Sequence, residues 1–249
     1  MKLSGWFREF FDVWRASWRA VCLHMLPFFG VIGLWLAAVY LYPVGAITAA
    51  LPVLLMLVVG WVHLHRVGYE AVYAAEGARL PMKSWFVRVM RGVVVAFGLN
   101  FIGSMFFFVP SLVAQILLMP YLLFIMVEGE EPIEALKINV RLAGNRMGSL
   151  FVFWLTLRVG AVMLMILGGM APVAAYIALS DAPGPISIVE MEWVMWTMVA
   201  LGCIVAAFIN YSIAIAGAIA AYRVLRGKSV DAMEAVGRRE EGAGLPTRW

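Results

Sequence analysis

Six runs of apolar residues alternate along the chain with short polar connections, and each approaches or exceeds the length of a bilayer crossing. The runs are about Cys22–Tyr42, Val44–Leu64, Gly92–Val109, Ser111–Val127, Gly148–Met170 and Trp193–Tyr222. A hydrocarbon core about 30 Å thick needs roughly 20 apolar residues per helix. The pattern therefore predicts an all-α, polytopic bundle of six transmembrane helices, in which spans three and four are short and separated by little more than Pro110.

Basic residues lie on one side of this pattern. All but one of the 19 Lys and Arg residues fall in the N-terminal segment, the second and fourth connections or the C-terminal tail. The first, third and fifth connections carry none. Because positive charge is retained on the cytoplasmic side during insertion, we expect both termini to be cytoplasmic.

The cytoplasmic segments have the apolar periodicity of amphipathic helices. We expect the aromatic stripe of residues 1–21 to lie in the membrane interface. A second helix begins near Pro81, and a third begins at Pro132, a residue suited to the first helical position, and closes at Gly144. A short stretch at 230–236 repeats the pattern in the tail.

The composition leaves room for one domain. Apolar residues make up 64% of the chain and charged residues 14%, whereas soluble domains are roughly a quarter charged. We predict a single integral membrane domain over 1–249, with an arm at 1–21, a six-span bundle at 22–222 and a cytoplasmic tail at 223–249. The net charge of +4 comes from basic residues interleaved with acids, which favours topology determinants over a nucleic-acid surface.

Each of the three helical hairpins is followed by a glycine and a short cytoplasmic helix. These glycines are Gly77, Gly129 and Gly227. Internal repetition is common in membrane folds, but three copies of a generic turn can also arise from topology alone. Both explanations stay open at this point.

Residues 128–154 read EGEEPIEALKINVRLAGNRMGSLFVFW. This segment resembles one found in uncharacterised bacterial six-helix membrane proteins, a group that includes the membrane domain attached to some glycerophosphodiester phosphodiesterases. The YPVGAITAALPVLL hairpin, Pro120 and the closing AAYRVLRG extend the resemblance from Trp6 to about Gly227. The resemblance implies a bacterial inner-membrane location and supplies no catalytic residues. We expect no phosphodiesterase activity, because residues 1–249 contain no segment that we interpret as a phosphodiesterase domain.

Arg158 is the one basic residue that topology does not explain. It lies about ten residues into the fifth span, roughly 15 Å deep, where an ionisable side chain is costly and by default marks a functional site. Asn100 and Asn210 have comparable depths, so the three can line a pocket for an anionic headgroup, a carboxylate or a partner side chain. Alternatively, Arg158 snorkels to the inner interface or bonds to backbone carbonyls and the two Asn side chains.

His24 opens the first span and His63 closes the second, so antiparallel neighbours place both near the same inner depth. Two imidazoles can ligate haem iron, and one can hold a chlorophyll magnesium; ordinary interfacial histidines are the alternative. Neither Cys22 nor Cys203 has zinc-site or disulfide-framework spacing. Helix capping and charge pairing in a solvated connection explain the acidic cluster of Glu128, Glu130, Glu131 and Glu134. We therefore predict no metal site and no bound cofactor.

The chain contains 10 Trp, 15 Phe and 16 Met, which favours broad lateral surfaces and adaptable packing. Small residues predict close helix approach; they are Gly30, Gly33, Ala214, Gly217, Ala218 and Ala221. We therefore expect a non-enzymatic accessory or scaffold protein that packs against other integral membrane proteins and membrane lipids, an energy-transducing complex being one candidate. The alternative is a small transporter or lipid-handling protein with an intramembrane polar site around Arg158.

Overall fold

A computed structural model describes residues 3–42, 50–74, 80, 82–105, 108–179 and 193–227. Seven helices occupy this described part: α1 (Leu3–Leu41), α2 (Ala50–Val72), α3 (Met82–Met105), α4 (Phe108–Glu128), α5 (Pro132–Gly144), α6 (Met147–Leu179) and α7 (Trp193–Arg226). All except α5 are long and apolar enough to cross a membrane. The prediction of an all-α fold with six helices long and apolar enough to cross a membrane is confirmed. The amphipathic stretch predicted at 230–236 lies outside the described residues.

The last helix, α7, lies at the centre of the bundle. It packs most extensively against α6 and α1, and it also contacts α2, α4 and α5. Helices α1 and α2 pack against each other as one hairpin, and α3 and α4 pack against each other as another. Glu9 near the start of α1 forms an ion pair with Arg223 near the end of α7, so the two helix ends lie on one side of the bundle. We call that side, which also holds α5 and the end of α4, the basic end.

Helix α1 differs from the prediction of a separate interfacial arm. Its 39 residues run without interruption for roughly 58 Å, so the boundary expected at residues 21 and 22 is not a helix break. Trp6, Phe10 and Val13 are buried, and the rings of Trp6 and Phe10 lie 5.5 and 6.2 Å from that of Phe153 on α6. This part of the predicted arm, which includes Phe10 of the aromatic stripe, therefore packs against protein.

A second difference concerns the third and fourth spans. The helix expected near Pro81 and the third span form one continuous helix, α3. Pro110 lies in the first turn of α4, where a missing N–H costs no helical hydrogen bond. The prediction that Pro110 separates the spans is therefore wrong. The start of α5 at Pro132 and its end at Gly144 are confirmed.

Burial is concentrated at the basic end. The largest fully buried side chains include Trp6, Tyr121, Phe124, Phe153 and Tyr222. Farther from this end, the helices expose apolar side chains, among them Phe101 on α3 and Leu167 on α6. In a bilayer such exposure is tolerated, because lipid tails are as apolar as the side chains they meet.

Two polar links attach the end of α7 to its neighbours. The Glu9 and Arg223 side chains are 2% and 14% exposed, with an oxygen–nitrogen distance of 2.8 Å. Tyr222 donates a 2.9 Å hydrogen bond from Oη to Glu128 at the end of α4, and Arg226 forms an ion pair with the same carboxylate. Glu128 was expected to act in a solvated connection; instead it joins α4 to α7.

Two of the three repeated glycines end their helices in the same way. Gly129 after α4 and Gly227 after α7 have φ angles of 71° and 69°, a left-handed conformation that glycine adopts without a steric penalty. Gly77 lies outside the described residues. The shared termination supports the predicted similarity of these two hairpins.

Replacing Glu9 with Gln should destabilise the protein in detergent by about 3 kcal/mol, because Arg223 would keep its charge in a poorly solvated position. Thermal or denaturant unfolding of the purified protein measures this loss. Glu134→Gln is the matched control. The side chains of Glu134 and its partner Lys137 are 54% and 66% exposed, so the free energy of unfolding should change by less than about 0.5 kcal/mol. Equal effects of the two substitutions would contradict a stabilising role of the buried link.

Candidate functional site: a cleft between α6 and α7

Helices α6 and α7 approach each other closely at two levels. At the level farther from the basic end, a Cβ on Gly202 would overlap the carbonyl oxygen of Gly168. At the level nearer the basic end, a Cβ on Gly217 would lie 2.5 Å from Cδ1 of Leu157. At Gly202 the near atom is backbone, so the missing side chain lets the two helix backbones come together. At Gly217 the near atoms are the side-chain ends of Leu157 and of Met119 on α4.

Between these two levels lies a cleft of about 340 Å³. Its lining residues are Arg158, Ala161, Val162, Met165 and Ile166 of α6 and Asn210 of α7. The structure thus brings together two of the three residues singled out in the sequence. The cleft combines a cation and an amide with an apolar wall.

The Arg158 guanidinium lies over the indole of Trp154, with Cζ 5.6 Å from the ring centroid. Trp154 precedes Arg158 by one helical turn and is 7% exposed. The guanidinium is therefore directed toward the basic end, in the direction expected for a snorkelling side chain. The ring face attracts the cation, but it does not supply a hydrogen-bond acceptor.

The polar groups of the cleft are unmatched within the described chain. Neither the Arg158 nor the Asn210 side chain forms a hydrogen bond or ion pair with a described residue. Guanidinium N–H groups and the amide NH₂ of Asn are hydrogen-bond donors. The arrangement can bind an anionic or carbonyl-bearing group, and charge-assisted bonds from Arg to such groups are the stronger kind.

Asn100 does not belong to this site. It lies on α3, and its Oδ1 accepts a 3.1 Å hydrogen bond from Oγ of Ser111 on α4. Of the three predicted residues, Arg158 and Asn210 therefore lie together, and Trp154 is a neighbour of Arg158 that the sequence interpretation missed. The sequence itself indicates Trp154 as a neighbour of Arg158, because residues four apart on a helix lie next to each other.

His24 and His63 are brought together as the antiparallel arrangement of α1 and α2 suggested. Their ring centroids lie 5.5 Å apart with the planes tilted by 56°, which is direct ring contact. No flat macrocycle fits between two rings in this arrangement, so a tetrapyrrole held between both histidines requires them to separate. Within the described ranges, no group of three or more His, Cys, Asp or Glu residues is placed to hold a metal ion.

No protein-family model, curated protein or solved structure matches this chain. The resemblance to bacterial six-helix membrane proteins therefore stays a prediction.

The glycine contact that closes the cleft can be tested by Gly202→Ala. The added methyl would meet backbone at Gly168, so the free energy of unfolding should fall by about 1–3 kcal/mol. Gly160→Ala is the control on α6, because no described atom lies within 4 Å of the Cβ position. Alanine there should be neutral or stabilise by up to about 1 kcal/mol, through its higher helix propensity. Unfolding measurements in which Gly202→Ala is as stable as Gly160→Ala would argue against the close crossing.

Proposed function

We propose that the protein is a non-enzymatic accessory or scaffold protein of the bacterial inner membrane. It packs against a larger membrane complex and its lipids, an energy-transducing complex being one candidate. The main support is an exposed face of α1 that has the spacing and the small residues of a helix-packing surface.

This face, which we call the α1 seam, consists of Leu23, Leu26, Gly30, Gly33 and Ala37. All five residues are exposed, and their alternating steps of three and four keep them on one side of the helix. The opposite side of α1 packs within the protein, where Phe28 fills the space beside Gly60 of α2. The seam therefore faces away from the hairpin partner of α1.

The two glycines of the α1 seam have no role in packing within the described chain. No described atom lies within 4 Å of the position that a Cβ would take on Gly30 or Gly33. Glycine inside a helix costs roughly 1 kcal/mol relative to alanine. In membranes, small residues allow a second helix to approach closely, which favours a transmembrane helix of another protein as the occupant of the seam.

The distribution of charge supports the proposed orientation. Apart from Arg158, the described basic residues lie in the first half of α1, near the end of α2 and start of α3, on α5 and its junction with α6, or in the last turn of α7. Positive charge concentrates on the cytoplasmic side of bacterial inner-membrane proteins. We accordingly assign the basic end, and with it both termini, to the cytoplasm.

The alternative of a lipid-handling protein is favoured by one specific observation, the cleft that joins Arg158 and Asn210. Transport normally uses polar or broken helices around a site at the membrane midplane. The cleft supports lipid binding more directly than solute passage, because most of its lining residues are apolar. It is therefore compatible with the accessory function.

A double substitution, Gly30→Leu with Gly33→Leu, tests the α1 seam. The larger side chains have room in the isolated protein, so stability in detergent should be retained. They would block a close helix, so at least a tenfold loss of co-purifying membrane proteins is expected, equivalent to about 1.4 kcal/mol or more. Gentle-detergent purification followed by quantitative mass spectrometry measures this loss.

Ala38→Leu is the matched control. Ala38 is also exposed on α1 but lies roughly a third of a turn away from the two glycines. This variant should retain the same partners as the unaltered protein. Retention of those partners by the double-leucine variant, or no specific membrane partner for the unaltered protein, would refute the proposed use of the seam.

A further inference from the structure

The positive charge of Arg158 has no counter-charge nearby in the described chain. The described acidic residues all lie toward the basic end, on the first turns of α1, the last turn of α2, the end of α4, the segment leading into α5 and the first turn of α5. The Cα of Arg158, by contrast, lies roughly 16 Å along α6 from Met147. Helix α6 has 33 residues and is roughly 50 Å long, so about 20 Å of it extends beyond a hydrocarbon core of about 30 Å. If this excess lies at the basic end, the Arg158 guanidinium is near the phospholipid phosphates, and an anionic group from outside the chain would stabilise this unmatched cation.

The functional groups of the cleft are ordered along the membrane normal. The Arg158 guanidinium is directed toward Trp154, at the side nearer the basic end. Gly202 faces Gly168, and Gly217 faces Leu157. These two contacts place Asn210 about one helical turn farther from the basic end than the Cα of Arg158. The apolar side chains of Met165 and Ile166 follow still farther along α6.

This order matches the chemistry of a glycerophospholipid. A phosphate is followed at increasing membrane depth by ester carbonyls and then by acyl chains. We propose that the cleft binds one anionic phospholipid of the leaflet at the basic end. Arg158 binds the phosphate, the Asn210 amide donates to an ester carbonyl, and an acyl chain lies against Met165 and Ile166.

The lining of the cleft favours a lipid over a soluble anion. Four of its six lining residues have apolar side chains, which suit an acyl chain. The cleft and the α1 seam lie on different helices, so the lipid site does not depend on the proposed protein partner.

The charge of the cleft favours a lipid with a net negative headgroup. Phosphatidylcholine and phosphatidylethanolamine carry a cation beside the phosphate, and no acidic residue lines the cleft to receive it. Phosphatidylglycerol carries the phosphate charge with a neutral glycerol. Like-charge repulsion between Arg158 and an amine is therefore avoided with phosphatidylglycerol.

The test uses the full-length protein, purified and delipidated in a mild detergent. Phosphatidylglycerol or phosphatidylcholine with identical acyl chains is titrated in, and native mass spectrometry counts the bound lipids. The first phosphatidylglycerol should bind about tenfold more tightly than phosphatidylcholine. Arg158→Met should weaken phosphatidylglycerol binding about tenfold, since a hydrogen bond to a charged group contributes about 1.5 kcal/mol or more.

Three comparisons make the assignment specific. Arg141→Met removes an exposed charge of α5 outside the cleft and should leave binding unchanged. Val162→Trp fills the cleft from an exposed position and should reduce binding while Arg158 is retained, which keeps the test valid if Arg158→Met fails to fold. Asn210→Leu should weaken binding about threefold, as expected for a neutral hydrogen bond.

Several results would overturn the proposal. Equal binding of the two lipids, or unchanged phosphatidylglycerol binding in both Arg158→Met and Val162→Trp, would show that the cleft is not a lipid site. Displacement of the lipid by millimolar inorganic phosphate would assign Arg158 to a free anion. Loss of a co-purifying protein in Arg158→Met, with lipid binding intact, would assign the charge to a protein carboxylate.

Discussion

The last turns of α7 provide the constraint on which the bundle depends. Small buried residues, including Ala216, Ala220 and Ala221, allow several helices to converge on this segment. The ion pair of Glu9 with Arg223 and the Glu128 contacts then attach α1 and α4 to it. In a bilayer, apolar side chains gain little by leaving lipid for protein, so dense packing and hydrogen bonds must hold the helices together. Both are concentrated at the basic end.

Attachment at one end leaves the rest of the helices available for contacts outside the chain. Along the outer part of α1, close packing on the Phe28 side coexists with an open face at Gly30 and Gly33. Between α6 and α7, the cleft that contains Arg158 and Asn210 lies between the Gly168–Gly202 and Leu157–Gly217 contacts. The same device, glycine in a transmembrane helix, thus serves internal packing at Gly202 and creates an accessible surface at Gly30.

Features that depend on local sequence could be predicted, and features that depend on helix rotation could not. The six spans follow from hydropathy, and the bounds of α5 follow from Pro132 and Gly144. Depth along a helix identified Arg158, Asn100 and Asn210, but depth does not specify the neighbour that each side chain faces. Asn100 consequently pairs with Ser111. The continuity of α1 was missed because an aromatic stripe has the same periodicity whether it contacts lipid headgroups or buried protein.

The unmatched charge of Arg158 links lipid binding to stability. A ligand that binds only the folded protein raises its stability, by an amount that grows with the logarithm of ligand concentration above the dissociation constant. In a membrane, phospholipid is the surrounding solvent, so even a moderate-affinity site is largely occupied. The proposed lipid would therefore be a structural component of the cleft between α6 and α7. It would fill the cleft and offset the energetic cost of the Arg158 charge. The Arg158 guanidinium, which destabilises the protein without bound lipid, would then make the folded protein more stable in membranes rich in anionic lipid.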